Sequence, residues 1–298
     1  MSIASFVEYL SLEKKYANNT VKAYQNDLLA FDAYCREEFS VHDIENNSYA
    51  EIRSWVVVLV GTKISNRSIN RKIASLKAYY KFLLKIDAIQ VHPLAKHKSL
   101  KTPKKIEIPF SELEMEKIIQ SIPFPDDFTG LRDKLMIELF YSTGIRRAEL
   151  VNLTMGNLDL ENNTLKVVGK RNKERILPIV KSLRMLFESY IEKRVAVLRD
   201  PSIEFVFLTK TGDKVYEMLV YRVVNHYFSK VSTKVKKSPH ILRHTFATHL
   251  LNKGADLNSV KELLGHASLA STQVYTHNSI AELKKVHLAS HPRNQKKE

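Results

Sequence analysis

Residues 164–179 read Thr-Leu-Lys-Val-Val-Gly-Lys-Arg-Asn-Lys-Glu-Arg-Ile-Leu-Pro-Ile. Thr164 to Val168 and Glu174 to Ile179 are short runs of β-forming residues, and Gly169-Lys170-Arg171-Asn172-Lys173 between them is a turn. The pattern predicts a β-hairpin with Lys170 at its tip. A further run, Phe205 to Thr209, is a candidate third strand. Outside these runs the periodicity is helical. The fold class expected is therefore mainly α with a small β-sheet, the sheet lying in the second half of the chain.

Upstream, Val21, Tyr24, Leu28, Phe31 and Cys35 recur at helical spacing after the polar start Asn18-Asn19-Thr20. A second stripe holds Ile69, Ile73, Leu76, Tyr80 and Leu83, with Arg67, Arg71, Lys72, Lys77, Lys81 and Lys85 on the other faces. No acid interrupts those cations until Asp87. Such a helix is either a solvated face or a surface that lies along a polyanion. The segment from Lys96 to Lys105 is basic and aperiodic, with Pro103 inside, and reads as a linker. Ser111-Glu112-Leu113-Glu114 is a capping box that opens a new helix. The division expected is a helical domain over 1–98, a linker over 99–108, and an α+β domain over 109–298. Ser238-Pro239 reads as the N-cap and first position of a helix ending before Gly254, and Asp256 caps another that stops at Gly265.

The formal charge of the 298-residue chain is +15, from 47 Lys+Arg against 32 Asp+Glu. Residues 1–108 hold 17 basic and 11 acidic side chains and the remainder 30 and 21, so both parts are basic. A polyanion touched by both is the expected partner. Cys35 is the single cysteine, which excludes an intrachain disulfide and a cysteine-based zinc cluster. No signal peptide is visible at Met1-Ser2-Ile3-Ala4-Ser5, and the longest apolar stretch, Trp55 to Val60, is too short to span a bilayer. A cytoplasmic protein without a membrane partner is expected.

The chemistry-bearing residues form five pieces: Arg146 in Thr143-Gly144-Ile145-Arg146, Lys170, His240 and Arg243 in His-Ile-Leu-Arg-His, His266 after Gly265, and Tyr275 in Thr-Gln-Val-Tyr-Thr-His. Arginine holds two phosphate oxygens in its planar fork and stays charged. His240 and Arg243 share a face near a helix N-terminus, which itself favours phosphate. A phenol has a reference pKa near 10 and needs neighbouring cations or a base to act as a nucleophile. Together the set is suited to holding a phosphodiester, neutralising its transition state and attacking it. Taken singly each piece is ordinary: Arg146 sits beside Arg147, His266 follows a helix cap, and Tyr275 is one of 13 tyrosines. His244 and His249 read as packing or capping residues of the same helix. There is no G-x-x-x-x-G-K-[S/T] motif, no two-metal carboxylate cluster and no H-E-x-x-H pair, so no cofactor is expected.

Order, spacing and flanking residues of the five pieces resemble the tyrosine recombinases of the phage-integrase family, most closely the bacterial XerC/XerD type. The resemblance is dense from Arg146 to Pro292 and looser in the first hundred residues. It implies an N-terminal core-binding domain and a C-terminal catalytic domain closing around DNA as a clamp. It assigns Tyr275 as the nucleophile, Arg146, Arg243 and His266 as stabilisers of the transition state, and Lys170 as general acid, with Lys173 and Arg175 behind it. His240 would activate the tyrosine or orient the phosphate, and Glu149 would orient Arg146 or a neighbour. Arg67, Arg71, Lys77, Lys81 and Lys173 are the expected DNA contacts. The end of the chain, Ser290-His291-Pro292-Arg293, is similar to XerC/XerD ends, where the last helix docks on a neighbouring subunit; Leu283, Val286 and Leu288 would supply its apolar contacts.

Implied partners are a specific double-stranded DNA site, a homo- or hetero-tetramer with a related recombinase on that DNA, and an FtsK-type translocase. The implied role is cleavage and rejoining of DNA through a 3′-phosphotyrosyl link, for chromosome dimer resolution and segregation. Two alternatives stay open: a phage or transposon integrase with the same chemistry, and a non-catalytic DNA-binding protein.

Overall fold

The structure is a computed structural model and describes residues 3–40, 43–103, 107–169, 173–265, 289, 290 and 292. The chain divides into two compact units, Met1–Lys105 and Ile106–Glu298.

The first unit is helical: α1 (Ile3–Glu8) running into a wide turn to Glu13, α2 (Asn18–Phe39), α3 (Tyr49–Gly61) and α4 (Asn66–Lys85). Caps set the ends. Ser48 and Glu51 form a capping box before α3, Ser65 accepts from the Ser68 amide before α4, and Ser40 closes α2 in the left-handed conformation. The apolar stripes meet in one core. Leu28, Phe31 and Cys35 of α2, Ile52 and Trp55 of α3, and Ile69, Leu76, Tyr80 and Leu83 of α4 are all buried.

One acid inside this unit changes the reading of the basic helix. Asp27 of α2 is buried against α4, where Arg71 forks onto both of its oxygens, Lys72 pairs with it at 3.1 Å, and the Ser75 hydroxyl donates to it at 2.8 Å. Lys77 donates to the His97 carbonyl at 3.2 Å. Arg71, though half-exposed, and Lys77 are therefore engaged by the protein itself; Arg67 and Lys81 are also exposed on α4. The pairing was hidden because Asp27 lies 44 positions from Arg71.

The second unit is built around α6 (Phe128–Thr143), in which every residue from Leu135 to Thr143 is buried, Leu135, Met136, Ile137, Leu139 and Phe140 among them. A helix buried all round must be central. Before it come α5 (Glu112–Glu116), opened by the Ser111–Glu114 capping box, and a wide turn to Ser121. After it come α7 (Arg147–Val151), the strands β1 (Leu158–Asp159), β2 (Thr164–Val168) and β3 (Glu174–Pro178), then α8 (Lys181–Val197), α9 (Glu217–Ser229), α10 (Pro239–Asn252) and α11 (Leu257–Leu264). Helices α8 and α10 pack on α6.

The sheet is antiparallel in the order β1-β2-β3, with Val167 opposite Arg175 and Leu165 opposite Leu177. The predicted hairpin stands, but its third strand is Leu158–Asp159 and not the run from Phe205 to Thr209. That run makes only single bridges, Phe205 to Thr154 and Leu208 to Lys214. Its backbone is satisfied piecemeal: Arg194 donates to the carbonyls of Ile203, Phe205 and Val206, the Tyr190 hydroxyl donates to that of Val206, and the Val206 amide donates to Leu153 O. Among the described residues no helix is long and apolar enough to cross a membrane.

Candidate active site

Two glycines start the site. Gly144 ends α6 and Gly265 ends α11, both left-handed, with φ of +62° and +61°. A side chain at either position would be strained, and at Gly144 an added Cβ would also lie 2.4 Å from the Phe246 ring. Left-handed caps leave the last carbonyls of a helix turned outward, and those of α11 are taken by three arginines. Arg175 Nε donates to Leu263 O at 2.9 Å, Arg243 Nη2 to Leu264 O at 2.5 Å, and Arg146 Nη2 to Gly265 O at 2.8 Å. Cations at a helix C-terminus also meet the negative end of its dipole.

Arg146 stands at the N-cap of α7 and is a third exposed, while Glu149 one turn later is buried. The Arg146 amide donates to Glu149 Oε2 at 2.8 Å and Arg146 Nη1 to Oε1 at 2.7 Å. Arg175 grips the same carboxylate from β3, Nη1 to Oε1 and Nη2 to Oε2, each at 2.8 Å. Burial would raise the Glu149 pKa, but the hydrogen bond and charge of Arg175, and then Arg146, outweigh it and hold it at about 2. Arg243 is buried on α10 and also donates to Gly144 O at 2.6 Å. Burial, and then the charges of Arg146 and Arg175, lower its pKa to about 9. Two guanidiniums thus hold one carboxylate and the third, Arg243, feels the charges of all of them, and the surplus of positive charge suits an anion.

His240 follows the Ser238 N-cap and Pro239, as expected for the start of α10. Its side chain is 74% exposed, and Nε2 lies 3.2 Å from Glu107, which also accepts from Lys236 at 2.9 Å. Glu107 is thus the acidic partner that the described residues give His240. His249 does pack: Nε2 donates to Phe110 O at 2.9 Å, so Nδ1, 3.0 Å from the Tyr141 hydroxyl, is an acceptor while the ring is neutral. His244, expected to pack or cap, is exposed instead. Lys173 is exposed at the loop end of the hairpin, just before β3, where its carbonyl accepts from the Gly169 amide at 2.7 Å. Lys170, His266, Tyr275, Leu283, Val286 and Leu288 lie outside the described residues. Among the described residues no group of three or more His, Cys, Asp or Glu side chains could hold a metal ion.

The residue whose part was underrated is Arg175. Its signal was in the strand period: position 175 shares the inward face of β3 with Leu177. A cation on a core-facing position needs a buried acid, and Glu149 is that acid.

Two family models match. The phage integrase family matches residues 109–282 and the phage integrase N-terminal SAM-like domain matches residues 3–86. The chain belongs to the phage integrase family. It is a tyrosine-type, site-specific DNA recombinase. The tyrosine recombinase XerC of Oceanobacillus iheyensis is 38% identical to this family member over 297 residues, 98% of this chain and 96% of that one. The XerC of Anoxybacillus flavithermus is 37% identical over 293 residues, 97% of this chain and 96% of the relative. Among solved structures, a post-cleavage complex of XerH bound to palindromic difH substrate has a TM-score of 0.72 at 20% identity, covering 98% of this chain and 82% of that one. A Tn1549 transposon integrase in complex with circular intermediate DNA gives 0.70 at 20% identity, covering 96% and 99%. These two structures carry the fold of the recombinase.

Proposed function

We propose that this recombinase is XerC-like, breaking and rejoining duplex DNA through a 3′-phosphotyrosyl intermediate in chromosome dimer resolution and segregation. The observation that carries the chemistry is the convergence of Arg146 and Arg243, from two different helices, on the successive carbonyls Gly265 and Leu264. Two pre-positioned forks with surplus positive charge suit the extra charge of a pentavalent phosphorus. The XerC-like role rests on relatives of that name matched over nearly their whole length.

In the reaction, the Tyr275 oxygen bonds to phosphorus as the bond to the 5′-oxygen breaks. Arg146, Arg243 and His266 meet the developing charge, and Lys170 gives the leaving 5′-oxygen a proton. His240 assists loss of the phenolic proton or orients the phosphate. The phosphotyrosyl bond keeps the energy of the phosphodiester, so another 5′-hydroxyl reverses the step without a nucleotide. Exchange between two duplexes requires four such sites, hence a homo- or hetero-tetramer with a related recombinase; an FtsK-type translocase is the accompanying partner.

Sequencing DNA covalently captured by the chain in cells tests the role. Capture at one chromosomal locus supports it. Capture confined to the ends of a mobile element overturns the chromosomal role while keeping the chemistry.

A further inference from the structure

We propose that Arg175 is a positioning residue of the recombinase site: it orients Arg146 through Glu149 and fixes the end of α11 through the Leu263 carbonyl. The inference rests on the proposed part of Arg146 in cleavage.

Arg175 is 5% exposed and all three of its guanidinium nitrogens are engaged, two on Glu149 and one on Leu263 O. It is therefore spent on protein. Both oxygens of Glu149 are shared: Oε1 between Arg175 and the Arg146 side chain, Oε2 between Arg175 and the Arg146 amide. Taking half of that carboxylate's charge leaves Arg146 Nη2 directed to Gly265 O rather than drawn onto Glu149.

Two more pieces of the site meet at this pair. An added Cβ on Gly169, the residue before Lys170 in sequence, would lie 3.5 Å from Glu149 Oε1 and 3.8 Å from Arg175 Nη1. One on Gly265, the residue before His266 in sequence, would lie 3.2 Å from Arg175 Cδ. The Arg175–Glu149 pair is thus the point where the hairpin stem, the start of α7 and the end of α11 come together. Without Arg175, Glu149 keeps a buried charge answered by Arg146 alone, and Arg146 is pulled out of place.

The test uses the full chain as wild type, Arg175→Met, Arg175→Lys, Glu149→Gln and Arg175→Met/Glu149→Gln. The probe is a nicked suicide duplex carrying the site that the wild-type chain traps. Single-turnover cleavage at saturating protein and duplex affinity are measured where each variant's melting curve shows it folded. Arg175→Met is expected to bind within about threefold of wild type and to cleave at least about 30-fold more slowly. Arg175→Lys should show the same split, since one ammonium cannot serve three acceptors. The double variant should recover at least about fivefold over Arg175→Met, because the unanswered carboxylate is gone. Cleavage within threefold of wild type in either folded Arg175 variant overturns the inference. So does a double variant no faster than Arg175→Met, or failure of both Arg175 variants to fold, which would make the residue one of fold alone. A wild-type chain that forms no covalent adduct would instead sink the recombinase mechanism itself.

Discussion

Arg243 on α10 and Gly144 at the end of α6 are joined by a 2.6 Å hydrogen bond from Nη1 to the carbonyl oxygen. Gly144 precedes Arg146 by two positions, so this bond sets one arginine by the chain that leads into the other. Because the other fork nitrogen of Arg243 holds Leu264 O, one side chain ties α6, α10 and α11 into a single site.

Arg146→Ala and Arg243→Ala should each slow cleavage by about 10²–10³, the usual effect of losing one transition-state donor. Duplex binding should change far less. Single-turnover rates within about threefold of wild type, below 1 kcal/mol, would remove that arginine from the mechanism.

Tyr275→Phe should abolish covalent capture of DNA and leave binding nearly intact, because only the nucleophilic oxygen is lost. A protease-sensitive 3′ adduct formed by Tyr275→Phe would mean that another residue attacks.

Lys170→Ala should be slow on normal DNA and largely rescued on a duplex with a 5′-bridging sulfur, whose leaving group needs little protonation. Equal defects on the two substrates would move the acid role elsewhere, with Lys173 next.

Glu149 makes a pH prediction. Its folded pKa of about 2 lies below the ordinary carboxylate value, so its contribution is complete above that value and is lost as pH falls toward 2. The contribution is about 3 kcal/mol. Denaturant titrations from pH 7 to pH 3 should show wild type losing stability in the acid range. Glu149→Gln should lack that part of the loss, and parallel curves for the two chains would contradict the assignment.

In the first unit, Asp27→Ala should destabilise by about 1–3 kcal/mol, since it strips partners from Arg71, Lys72 and Ser75. An unchanged denaturation midpoint would refute this. DNA affinity should fall with salt, and Lys81→Ala or Arg67→Ala should reduce the log–log slope by about one if each contacts a phosphate. Arg71→Ala should change it less, because Asp27 already offsets that charge.

The sequence by itself determined what is local or periodic. The hairpin showed because side chains alternate with a period of two. The stripes of α2 and α4 showed because helical neighbours recur every three or four residues. The helix ends at Gly144 and Gly265 and the caps at Ser111, Ser238 and Asp256 showed because a cap is a contract between residues a few positions apart. The order of the five chemistry-bearing pieces was equally legible along the chain.

Tertiary structure decided what joins distant positions. No local rule pairs Asp27 with Arg71, or Arg175 with Glu149 and Leu263. Nor does one give the carbonyls around Phe205 to Arg194. Each bond exists because a buried charge or carbonyl must find a partner wherever the fold brings one, and sequence distance is silent about where that is.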